Sequence, residues 1–173
     1  ADALDLHLQR GYVPVNDRYE TAVSGIYAIG DVVLGSIQLA HAAEAAARNF
    51  VHLLYDDSRV KNTEWIPSCV FTQPEIACVG LTAEAAKAAN IAVTVRKSLT
   101  SANGKALVEG AERGFIKLIF DTKTQTLCGA QLMCSHASEM VGGLAAAMSA
   151  GMTQAQLDCT VFPHPTVSET ILG

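Results

Sequence analysis

The sequence predicts an α+β protein, an antiparallel sheet with helices packed on it, preceded by a short α/β piece. Three observations lead there. Residues 39–55 (LAHAAEAAARNFVHLLY) are Ala-rich with apolar positions at helical spacing, whereas beyond residue 62 short β-type runs take over and alternate with small helices. GFIKLIF and TLCGAQLMC are apolar runs separated by the polar stretch Asp121-Thr122-Lys123-Thr124-Gln125, which reads as an antiparallel hairpin. Strands and helices in this order make a separate unit of 110 or so residues.

The elements follow in order along the chain. GYVPVND, residues 11–17, is a short extended piece in which Pro14 favours an edge position. Ile26, Tyr27, Ala28 and Ile29 form a β-type run stopped by Gly30-Asp31, as at the carboxyl end of a buried strand. The helix over 39–55 places Leu39, Ala43, Ala46, Phe50, Leu53 and Leu54 on its apolar positions, and Asp56-Asp57-Ser58 ends it. The polar piece to Asn62 is a linker, so the units are residues 1–62 and 63–173. CVFT and IACVGL are strands around Gln73-Pro74, Thr82 caps a helix running to Asn90, and residues 91–99 alternate as a strand. Helices over 137–150 and 153–157 follow the hairpin. Gly142, Gly143 and Ala145 to Ala147 suit close approach of a backbone, either to the sheet or to another subunit. Trp65, Phe71 and Tyr55 read as packing anchors.

Composition narrows the function. Half of the residues are hydrophobic and 17% are charged, so a sizeable core forms and disorder is not expected. The net charge of −5, with twelve Lys and Arg, offers no basic stripe for a phosphate backbone and argues against nucleic acid as the main partner. The uncharged run 140–157 carries three Gly, two Gln, a Ser and a Thr, which suits a buried helix and turn rather than a membrane span. Five cysteines without a CxxC pair or metal-type spacing fit a reducing, cytoplasmic setting, each thiol packing as a small hydrophobe and no metal being held. Beginning at Ala1, with no basic or apolar leader, the chain reads as a cut inside a longer polypeptide.

TVFPHPTVSETI, residues 160–171, holds His164 between Pro163 and Pro165. Both prolines restrict the backbone around the histidine. A helix starting near Pro165 would put Glu169 in its second turn, able to hydrogen-bond one ring nitrogen and leave the other for proton exchange. A surface histidine in a Pro-rich turn is the alternative. At Gly30-Asp31 the glycine permits close approach of a ligand and the carboxylate can accept bonds from polyol hydroxyls, or the pair is there for backbone reasons alone. The helix start at Gln38, Leu39, Ala40 and His41 offers N–H groups and a positive dipole end to an electron-rich ligand, with His41 itself in a capping or packing role.

TAVSGIYAIGDV, QLAHAAEAAARN, PSCVFTQPEIACVGLT, SANGKALVEGAERGFIKLIF, SHASEMVGGLAAAM and HPTVSE, six segments in order over nearly the whole chain, resemble the carboxy-terminal part of the flavin-dependent pyridine nucleotide-disulfide oxidoreductases. PEIACVG is most like the dihydrolipoyl dehydrogenase branch. VFP before HPT departs from the His-Ala of many of its members. The resemblance implies that residues 1–62 end an FAD-binding domain and that 63–173 form the dimerisation domain. It implies FAD and NAD as cofactors, a homodimer, and a lipoyl-bearing multienzyme complex as a further partner. Asp31 would then bind the ribityl chain of FAD, and Gln38, Leu39, Ala40 and His41 would face the flavin pyrimidine edge. His164, oriented by Glu169, would be the acid/base serving the thiols of the other subunit. Gln73-Pro74 and His164-Pro165 become candidate cis peptides. The chain lacks the GxGxxG fingerprint and the CxxxxC disulfide, so alone it would be an inactive dimerisation module. A glutathione or mercuric reductase-like activity is the neighbouring alternative.

Overall fold

An Ala-rich run forms a helix because such residues lose little side-chain entropy there, and α1, Ala40–Leu54, does so as expected. The computed structural model describes residues 2–55, 60, 63–111 and 113–173, so the expected helix stop and linker over 56–62 lie mostly outside the described residues. Contacts divide the chain into units Ala1–Thr63 and Glu64–Gly173. In the first, the run from Ile26 to Ile29 is not a strand. Tyr27 makes an isolated bridge to Glu20 and is 41% exposed. A strand needs a neighbouring backbone to pair with, and among the described residues of this unit there are bridges, such as Val13 to Val33, but no ladder. Tyr27 and Tyr19 instead pack their rings against Phe50 of α1.

The second unit is a five-stranded antiparallel sheet in the order β1-β2-β5-β4-β3. Its strands are β1 Ser68–Val70, β2 Glu75–Gly80, β3 Val93–Leu99, β4 Phe115–Asp121 and β5 Leu127–Cys134. The β4–β5 hairpin turns on Asp121, whose carboxylate accepts the backbone N–H groups of Lys123 and Thr124, both at 2.8 Å. Register places Ile116 opposite Leu132 and Leu118 opposite Ala130, while Leu132 faces Ala77 and Ala130 faces Val79. With a side-chain period of two, these residues line one face. Helix α4, Ala137–Ser149, covers that face with Ala137, Met140, Val141, Leu144 and Met148. Burying each Leu, Ile or Phe there stabilises the unit by roughly 1.5–3 kcal/mol.

Side-chain caps start the smaller helices. Thr82 accepts from Ala85 N at the start of α2, Ala83–Ala88, and Asn103 accepts from Ala106 N at the start of α3, Gly104–Val108. Thr153 and Gln156 form a capping box on α5, Gln154–Asp158. Trp65 packs on the core, but Phe71 and Tyr55 are each 81% exposed and anchor nothing in this chain. Being aromatic gave those two residues no neighbour, because each sits just beyond the end of its element. The small residues of α4 divide: Ala147 is buried on the sheet, while Gly142 and Gly143 have open space beside them.

Gly80 and Gly129 face each other where β2 ends. A Cβ on Gly129 would lie 2.0 Å from the carbonyl oxygen of Leu81, whose N–H donates to Cys128 O at 2.9 Å. The backbone leaves the sheet through space that only a hydrogen can share. Gly129→Ala is therefore expected to cost about 1–3 kcal/mol, seen as a lower urea midpoint with the slope unchanged; an unaltered midpoint would refute the packing argument.

Candidate functional site

After α5 ends at Asp158 the chain runs extended to a 3-10 helix, Val167–Ile171. Thr166 is its N-cap, and the Glu169 side chain reaches back to the Thr166 N–H at 2.9 Å in a capping box. Glu169 thus occupies the first turn of a 3-10 helix rather than the second turn of a helix starting at Pro165. Its other oxygen, Oε1, lies 2.9 Å from His164 Nδ1. The backbone thereby brings together the histidine and the acid named from the sequence. His164-Pro165 and Gln73-Pro74 are both cis. The His164 side chain is 82% exposed from its own chain.

The Thr166 N–H, and then the bond from His164, hold the Glu169 carboxyl below its ordinary range. The acid therefore stays ionised and acts as an acceptor. With a carboxylate on Nδ1, that nitrogen carries the proton and Nε2 presents a lone pair outward. A cleft of about 590 Å³ elsewhere in the unit is lined by Glu75, Glu109, Arg113 and His136. His136 Nε2 pairs with Glu109 there at 3.1 Å. Glu75 is spent on the start of α4, where its carboxylate accepts the Ser138 N–H and hydroxyl.

Three residues escaped the sequence reading. Arg96 donates from Nη1 to Asp158 and from Nη2 to the Ile171 carbonyl at 2.9 Å, and Asn103 donates to the Thr166 carbonyl at 3.0 Å. Thr166 itself donates its hydroxyl to Pro163 O at 2.8 Å. The Thr-x-x-Glu spacing of Thr166 and Glu169 was a legible capping-box signal. Nothing local in the sequence marks Arg96 as a partner of a segment 62 residues away.

In the first unit, Gly30 opens a short 3-10 turn, Gly30–Val32, at a φ of +73°. A Cβ there would sit 3.2 Å from Ala43 Cβ, so glycine lets the turn pack on the start of α1. Asp31 is exposed beside it. Leu39, the N-cap of α1, supplies no side-chain cap, and the first turn has no acidic residue, so the positive end of the helix is not neutralised by its own carboxylates. The Gln38 amide donates to the Tyr12 hydroxyl at 3.1 Å, and His41 lies exposed on the first turn.

All five cysteines are free. Burial raises the Cys69 and Cys128 thiols and pushes Cys134 up to about 11, away from thiolate chemistry. Among the described residues no cluster of His, Cys, Asp or Glu could hold a metal ion, and no helix is long and apolar enough to cross a membrane.

Residues 66–172 match the sequence model of the pyridine nucleotide-disulphide oxidoreductase dimerisation domain, and residues 1–47 match that of pyridine nucleotide-disulphide oxidoreductases. The chain belongs to this family. Dihydrolipoyl dehydrogenase of Chlorobaculum tepidum is 42% identical over 171 residues, 98% of this chain and 36% of that relative. LpdA from Mycobacterium tuberculosis superposes with a TM-score of 0.89 at 26% identity, over 99% of this chain and 38% of LpdA. The HOCl-induced flavoprotein disulfide reductase RclA from Escherichia coli gives 0.85 at 30% identity, over 98% of this chain and 39% of RclA. The chain thus spans little more than a third of these relatives.

A carboxyl titrating below its ordinary value stabilises the fold fully above the unfolded pKa and ceases to do so as pH falls through the folded one. Glu169→Gln should therefore lower the urea midpoint most above about pH 5, with the difference from the parent vanishing under strongly acidic conditions; a constant difference would contradict the ionised cap. Iodoacetamide at mildly alkaline pH should modify exposed Cys159 first and Cys134 last, read by peptide mass mapping.

Proposed function

We propose that this chain is the carboxy-terminal part of a flavin-dependent dihydrolipoyl dehydrogenase that oxidises dihydrolipoamide with NAD⁺ to lipoamide and NADH. Residues 1–62 end its FAD-binding domain and residues 63–173 form its dimerisation domain. The observation that carries the reading is the His164–Glu169 pair, held at 2.9 Å with the imidazole turned out of its own chain. A base presented this way serves a site built elsewhere, and in a homodimer that site is the neighbour's thiol pocket. Glu169 fixes the tautomer and offsets the positive charge the ring gains when Nε2 takes the dithiol proton. A base so placed contributes about 10²–10⁴ in rate.

The residues of the first unit fit a flavin. Asp31 offers an exposed acceptor for the ribityl hydroxyls, and the start of α1 at Gln38, Leu39, Ala40 and His41 offers a helix N-terminus to the electron-rich edge of the ring. When bound, FAD would carry electrons between the dithiol–disulfide couple and NAD⁺. The five free thiols suit a reducing, cytoplasmic location. A lipoyl-bearing multienzyme complex is the partner such an activity would serve. Similarity to RclA supports a second reading, reduction of another disulfide by the same machinery. The higher identity to a dihydrolipoyl dehydrogenase favours the first. The 173 residues alone act as a dimerisation module without turnover.

His164→Gln in the full-length enzyme should slow dihydrolipoamide oxidation by about 10²-fold or more while flavin stays bound; undiminished turnover would overturn the assignment. Sedimentation of the 173-residue chain should give a colourless dimer, and a monomer at all concentrations would refute the module.

A further inference from the structure

The twelve residues between Asp158 and Ile171 carry His164, and one side chain of the sheet grips both ends of that segment. We propose that Arg96 is a positioning residue for the proton-transfer histidine; this rests on the dihydrolipoyl dehydrogenase reading above. Arg96 lies on β3 with its guanidinium 5.5 Å from the centroid of the Phe120 ring, which is fully buried. Nη1 is bonded to Asp158, the last residue of α5, and Nη2 to the carbonyl of Ile171, the last residue of the 3-10 helix.

A planar fork on an aromatic face is pre-organised, so it loses little entropy in making two bonds at once. Both bonds begin on one strand of a five-stranded sheet, so the guanidinium ties together two ends that Leu157 and Ile171 also seat in the core. Arg96, Ser98, Asn103, His164 and Glu169 all line one cleft of about 530 Å³. Asn103 supplies a third tether, to Thr166. Between these ties, residues 161 and 163–165 are exposed. Phe162 and Val167 seat the segment on the core at either side, but the histidine ring itself is exposed, so its place follows from how that backbone is anchored. A displacement of 1 Å in such a group costs on the order of 10²-fold in rate, which makes the anchors part of the chemistry without touching substrate.

The test compares Arg96→Met, Arg96→Lys and His164→Gln in the full-length enzyme, together with amide hydrogen exchange on the 173-residue chain. Arg96→Met should lower kcat for dihydrolipoamide oxidation by about 10–10²-fold with KM nearly unchanged. NADH oxidation by ferricyanide, which needs no thiol base, should stay at the parent rate. Arg96→Lys, which keeps the charge but not the fork, should fall between parent and Arg96→Met. In the chain, exchange at residues 160–169 should quicken in Arg96→Met while β4 and β5 stay protected. Parent-like kcat in Arg96→Met, alongside a crippled His164→Gln, overturns the clamp and leaves the base assignment standing. Equal losses in the dithiol and ferricyanide reactions also overturn it, since they mark general damage. A fully active His164→Gln instead removes the functional reading on which the clamp rests. Should Arg96→Met fail to fold, Asp158→Ala cuts the same tie from the exposed side, and the same split between the two reactions is required of it.

Discussion

The β4–β5 ladder is the constraint on which the rest of the second unit depends. It pairs Ile116 with Leu132 and Leu118 with Ala130, and that register alone decides which face becomes apolar. A slip of one residue would turn the same side chains toward solvent and leave α4 with nothing to cover. Asp121 at the turn holds the register, through two backbone N–H groups that would otherwise be unsatisfied. Strand β3 then adds to the free edge of β4 and carries Arg96 to the place where the carboxy-terminal segment crosses the sheet.

The histidine site is built from short-range chemistry mounted on this long-range frame. One carboxylate, Glu169, caps the start of the 3-10 helix with one oxygen and fixes the imidazole with the other. Sharing the acid in this way couples the start of the helix to the direction of the ring. A base that must face another molecule gains from this arrangement, because the exposed ring has no packing of its own to direct it. Burial meanwhile raises the Cys69, Cys128 and Cys134 thiols, away from thiolate chemistry.

The first unit rests on a different device. Gly30 lets the turn at Asp31 sit against Ala43, and α1 begins without a side-chain cap. The uncapped helix start is a poor choice for stability taken alone. A helix start normally gains from a Ser, Thr, Asp or Asn cap.

Much of this was legible from residue order. The Ala-rich helix, the hairpin around Asp121, the Thr82 cap and the helices after residue 136 follow from local propensity and periodicity, which act over a few residues. The spacing of His164 and Glu169 is local too, so their meeting could be anticipated, although the Thr166 capping box that moves Glu169 into the first turn was overlooked. The run at Ile26 to Ile29 misled because a strand exists only where another backbone pairs with it, and local sequence carries no record of that partner. Phe71 and Tyr55 misled for the same reason, since burial is a property of neighbours. What the sequence by itself determined was the set of elements and the local chemistry of the histidine turn. Only the tertiary structure decided that Arg96 and Asn103 would hold that turn, because those contacts join residues some sixty positions apart whose proximity arises from sheet pairing.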